Sequence, residues 1–192
     1  MNSDSTQVAV GENIVRAVRV VRETHRNVHK LFAEMDAVCE NIGFRCMSAR
    51  PLRWLSAAAA DGLVVADFIK IYVDSKMSDE NQSPKECFGV EVRLDDPESA
   101  KIIVAKYTYM RPQSSLSKRI SPADHYKFYE PIHKPGRGFA INSREGYTES
   151  VPRPSVKKTW EDLLGVRWRS MELVSIRNRD DVHLLFDTMR QL

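Results

Sequence analysis

The strongest regularity along the chain is an apolar stripe near its start. Ile14, Val18, Val21, His25, Val28, Phe32, Met35, Cys39 and Ile42 follow one another at alternating steps of four and three. That spacing returns to one face of an α-helix, and no proline or glycine interrupts it. It predicts a helix over about 12–42, with Asn13 as its cap and Gly43 as a left-handed stop. Leu31 and Val38 widen the stripe beyond a strict coiled-coil seam. The centre of the helix is therefore expected to lie on its own sheet. Its free end would be available to a partner, with Val21, Val28, Phe32 and Met35 as candidate interface positions.

Alternation with period two follows further on. Ile69, Ile71 and Val73 share one face of a strand over 67–74, and Phe88, Val90, Val92 and Leu94 share a face of a second. A third strand is expected over 102–109. A short strand is expected at 43–50, and a helix from Pro51 to Gly62. Short connections favour antiparallel pairing. Near the end, a short helix is expected from Ser155 to Gly165 and a strand over 171–177. A final amphipathic helix carries Val182, Leu185, Phe186 and Met189, capped by Asn178 with Asp181. The expected fold is α+β: a long N-terminal and a C-terminal helix on a mainly antiparallel sheet of four to six strands. Residues 1–11 are read as a flexible start and 12–192 as one domain.

The segment 111–155 breaks the pattern. It holds six of the nine prolines, and it reads as a long, basic, irregular stretch with a short hairpin over 139–141 and 147–151. Charge sharpens this contrast. Between residues 61 and 100 there are ten acids and four bases, whereas 111–158 holds ten bases and four acids. The two segments are expected to attract each other in the fold, or the basic one to face a polyanion. Net charge is only +3 over 192 residues, with 42% hydrophobic and 29% charged positions, which are ordinary globular values. No apolar run reaches the ~20 residues of a membrane span, and the start has no secretory pattern, so a cytoplasmic setting is expected. Three cysteines without a C-x-x-C pair argue for buried thiols rather than a disulfide or zinc framework.

Candidate chemistry is sparse. Arg16, Arg19, Arg22, Arg26 and Lys30 line the helix face opposite the apolar stripe. Lys127, Lys134 and Arg137 stand beside Tyr126, Tyr129 and Phe139. Arg16, Arg19, Arg26, Lys30, Lys127, Lys134 and Arg137 are the candidate phosphate contacts of a nucleic-acid-binding reading. His125 and His133, with Asp124 and Glu130, are the candidates for acid–base chemistry, although their spacing fits no metal-ligand pattern. Asp74 with Glu91-Val92-Arg93 comes nearest to a metal-dependent nuclease pair, with Glu91 otherwise read as a solvent-facing strand residue. The expectation is a non-enzymatic interaction module that binds a protein partner or itself. Nucleic-acid binding and an enzyme site around His125 and His133 are the alternatives, and no cofactor or metal is expected.

Overall fold

The computed structural model describes residues 3–53, 64–76, 84–113 and 120–192, with side chains of the first helix from Val10 onward. Most of the predicted Pro51–Gly62 helix lies outside the described residues. Its beginning is not helical, because Leu52 instead bridges to Ile69 of the sheet.

Helix α1 runs from Ser3 to Cys39, 37 residues and about 55 Å at 1.5 Å per residue. It starts nine residues before the expected point, so Asn13 lies inside it rather than capping it. A 3-10 turn over Glu40–Ile42 closes it, and Gly43 adopts φ 79° with its N–H donating to the Glu40 carbonyl. That left-handed stop is the one the pattern required.

Among the described residues seven strands form one antiparallel sheet: β1 (Phe44–Cys46), β2 (Asp67–Asp74), β3 (Glu86–Arg93), β4 (Lys101–Tyr109), β5 (Phe139–Arg144), β6 (Tyr147–Pro152) and β7 (Leu163–Glu172). Their order is β1-β2-β3-β4-β7-β6-β5. Helix α2 (His125–His133) lies between β4 and β5 in the chain, and α3 (Arg179–Gln191) ends it. The α+β expectation is met, with more strands than the four to six foreseen.

Both faces of the sheet are covered. On one, Phe68, Tyr72, Phe88, Val90, Val92, Ile102 and Val104 pack under Phe32, Met35 and Val38 of α1 and Leu185, Phe186 and Met189 of α3. On the other, Ile69, Ile71, Ile103, Ala105 and Tyr107 pack against Phe128 and Ile132 of α2, Phe139 and Trp160. This two-sided cover explains why β2 and β3 are buried almost without alternation. The α1 layer is also tied down by polar bonds. Lys70, 2% exposed, donates to Asp36 Oδ2 at 2.8 Å and to the Ser48 carbonyl at 2.9 Å, while the Tyr72 hydroxyl donates to Asp36 Oδ1.

Two expectations near the end are corrected. Leu163, Leu164 and Gly165 are not the end of a helix, and the strand is not 171–177; β7 is a ten-residue strand over 163–172. Gly165 is a point of close approach, since a Cβ there would stand 3.2 Å from the Ser150 carbonyl of β6. The α3 cap is as expected: Asn178 Oδ1 accepts from the Asp180 and Asp181 N–H groups, and Asp181 Oδ2 accepts from Asn178 N.

Candidate functional site

Two features stand out: a helix half on which none of the described residues packs, and a cleft rich in ionisable groups. In α1, packing begins at His25, whose Nε2 lies 3.0 Å from the Val65 carbonyl and whose ring meets Phe68 edge-on. Before that point, Val10, Ile14, Val15, Val18, Val20 and Val21 are 38–61% exposed. At 100° per residue, Val10, Ile14, Val18 and Val21 fall within an arc of about 80°. Val28, Phe32, Met35 and Cys39 continue along the same line. They are buried at 0–3% exposure, so of the four candidate interface residues only Val21 is at the surface.

The candidate nucleic-acid residues are not brought together. Arg16, Arg19, Arg26 and Lys30 are exposed on α1, with Arg26 held by Glu23 at 2.9 Å. Lys127, Lys134 and Arg137 belong to the α2 layer on the opposite face of the sheet. Lys127 is paired with Asp124 at 2.8 Å, and Arg137 Nε stands 3.9 Å from Glu130. The Gly136–Gly138 stretch is a 3-10 turn, not a flexible phosphate loop. Gly138 has φ 101°, and a Cβ on it would meet Val156 Cα at 2.8 Å.

Helix α2 is the element that the sequence reading missed. Pro131 sits inside it and cannot supply the N–H that the Lys127 carbonyl would receive. The Trp160 indole N–H donates to that carbonyl instead, at 3.2 Å. Ahead of the helix, Ser121 caps the 3-10 turn Pro122–Asp124, its side chain accepting from Ala123 N while its own N–H donates to the Asp124 carboxylate. Once the helix forms, His125, Tyr129 and His133 fall at i, i+4 and i+8 and stack along one face. Their ring centroids are 5.0 and 4.5 Å apart.

This aromatic column lies over the ends of β2 and β3, where Asp67 and Arg93 are cross-strand partners. His133 Nε2 is 2.9 Å from Glu91 Oε2, and its Nδ1 is 3.2 Å from an Arg93 Nη1. Arginine only donates, so Nδ1 is the acceptor and the proton sits on Nε2, facing Glu91. Arg93 also donates to Asp95 at 2.9 Å. His125 Nε2 lies 3.3 Å from Asp67 Oδ2, within ion-pair reach but without the alignment of a hydrogen bond. Glu91 is buried and faces α2 rather than solvent, and its Oε1 has no hydrogen-bond partner among the described residues. Burial pushes the Tyr129 hydroxyl above its ordinary pKa, against the lowering effect of Arg93. A cleft of about 390 Å³ opens beside the column, lined by Asp67, Asp95, His125, Tyr126, Tyr129, Glu130, Lys134 and Arg137, with Val64 and Ala66.

The nuclease pairing does not form. Asp74 faces the α3 side, where it pairs with Arg190 at 3.3 Å, whereas Glu91 faces α2. Among the described residues no group of three or more metal-ligating side chains occurs. The three cysteines are free thiols, and burial pushes the Cys39 thiol up to about 11 and Cys46 and Cys87 upward as well, the opposite of an activated nucleophile. Among the described residues no helix is long and apolar enough to cross a membrane.

Compared with models of known protein families, with curated proteins and with solved structures, the chain finds no match.

Proposed function

We propose that this protein is a non-enzymatic interaction module that pairs with a second copy of itself through the bare half of α1. The observation that carries this reading is the run of exposed Val10, Ile14, Val18 and Val21, which continues the buried line of Val28, Phe32, Met35 and Cys39 without a break. Val15 and Ala17 flank the stripe where a coiled coil usually places charges, while Arg22 holds the position equivalent to Val15 one heptad on. Arg16, Arg19 and Arg26 stay in water on the far side.

The energetics set the strength. Full burial of a Val or Ile side chain is worth about 1.5–3 kcal/mol, so each half-exposed one gains about 1 kcal/mol on pairing. The stripe residues of two chains then offer roughly 10 kcal/mol, against an association cost of about 4–15 kcal/mol. A reversible dimer at tens of micromolar needs a net gain of about 6 kcal/mol, so the proposal requires an association cost at the low end of that range. Sedimentation velocity from 1 to 100 µM tests it. The wild type is expected to move from monomer towards dimer, and Val18→Asp/Val21→Asp to stay monomeric with its unfolding temperature unchanged. A wild type that stays monomeric at 100 µM removes the proposal.

A further inference from the structure

The cleft beside α2 has a charge pattern that its own residues leave incomplete. Asp95 is paired with Arg93 at 2.9 Å, and Glu130 with Arg137 at 3.9 Å. Glu130 keeps its second oxygen, Oε2, buried without a hydrogen-bond partner among the described residues. One further acid and one base without an aligned charge partner among the described residues remain in the lining. The acid is Asp67, whose side chain is 15% exposed and whose neighbour is the misaligned imidazole of His125, itself 5% exposed. The base is Lys134, exposed at the rim. It has no carboxylate partner among the described residues and sits 5.9 Å over the Tyr129 ring. Tyr126 and Tyr129 also line the cleft, with the Tyr129 ring stacked between His125 and His133. A recessed anion, a rim cation and aromatic side chains in one cleft are complementary to a molecule that carries both an ammonium and a carboxylate together with an apolar side chain. The volume, about 390 Å³, is at the lower end of small-molecule sites.

We infer that this cleft binds a free α-amino acid, with the ammonium on Asp67, the carboxylate on Lys134 and an apolar side chain against Tyr126 and Tyr129. The Nε2 of His125 shares Asp67 with the ligand, and the ligand's ammonium supplies an aligned donor that Asp67 lacks among the described residues. Cation and anion are both required, which separates this class from simple amines and simple acids.

The experiment is calorimetric titration of the full chain with the twenty common L-amino acids, followed by phenethylamine and 3-phenylpropionate as single-charge analogues of phenylalanine. Saturable binding of at least one apolar amino acid is expected, with each single-charge analogue at least tenfold weaker than phenylalanine. Lys134→Gln is expected to weaken binding about tenfold and to bring the amino acid down to the amine. Because Lys134 is exposed, this variant keeps the fold, and Asp67→Asn is read only if its unfolding temperature matches the wild type. No binding of any amino acid at 10 mM overturns the inference. Equal binding of the amine, or undiminished binding by Lys134→Gln, also overturns it.

Discussion

The two halves of α1 share one pattern and have opposite surroundings. From Val28 to Cys39 the apolar line is pressed onto Phe68, Tyr72 and Phe88, and Asp36 locks the helix to Lys70 and Tyr72. From Val10 to Val21 the same line is exposed and meets no surface among the described residues. The arginines Arg16, Arg19, Arg22 and Arg26 all precede Val28, and the packed half carries only Lys30 as a lysine or arginine. The surroundings differ because the sheet is shorter than the helix that crosses it. Periodicity therefore determines which face of a helix is to be covered, while the reach of the body determines how much of that face the chain covers by itself.

The contrast is broken most forcefully by truncating one side chain in each half. Phe32→Ala is expected to cost about 3–5 kcal/mol in urea unfolding, because it opens a cavity against the sheet. Ile14→Ala is expected to stay within about 0.5 kcal/mol at 1 µM, as for an exposed site. Equal costs would mean that both halves are packed. Next in size is Asp36→Ala, which leaves the Lys70 ammonium buried. About 2–3 kcal/mol is expected, below the 3–5 kcal/mol of a fully buried pair because the Asp36 side chain is 39% exposed. Lys70→Met is expected to cost less, since it removes the buried charge and leaves Asp36 partly exposed and still accepting from the Tyr72 hydroxyl.

A pH scan reads the buried half through Cys39. Its folded pKa is raised to about 11 by burial, while an unfolded thiol ionises near 8.5. The fold holds the proton that the unfolded chain releases. Stability present below pH 8.5 is therefore lost as pH climbs towards 11, by about 1–2 kcal/mol at pH 10. The fall between pH 8 and pH 10 is expected to shrink in Cys39→Ala, and an unchanged slope would rule this source out. The smallest effect lies in α2. Trp160→Phe leaves the Lys127 carbonyl without its donor and is expected to cost about 1 kcal/mol in thermal unfolding.

The helices and strands whose pattern is local were legible in the sequence: the α1 stripe with its Gly43 stop, the alternation of β2 and β3, and the Asn178–Asp181 cap of α3. Elements that depend on distant partners were not. Pro131 argues against a helix until Trp160, far along the chain, replaces the missing donor. Gly165 looks like a helix stop until β6 is seen crowding it. The candidate site follows the same rule. His125 and His133 were visible as titratable groups, and their spacing of eight with Tyr129 midway was the available signal. Without the helix it had no meaning, and Asp67, Glu91 and Arg93 lie 32 or more residues away in the chain. The acidic and basic segments touch through the imidazole–carboxylate contacts of His125 with Asp67 and His133 with Glu91, but among the described residues no ion pair joins an acid of 61–100 to a lysine or arginine of 111–158.

Hydrogen exchange of the α1 amides, followed at 1 and 100 µM protein, tests the pairing of the bare half most directly. An unsupported helical stretch of about 12–15 residues is marginal in water, so amides 10–24 are expected to exchange quickly at 1 µM while those of 28–39 stay protected. At 100 µM the 10–24 amides are expected to become protected as the stripe is covered. Exchange in 10–24 that is the same at both concentrations, whether fast or slow, would contradict the account.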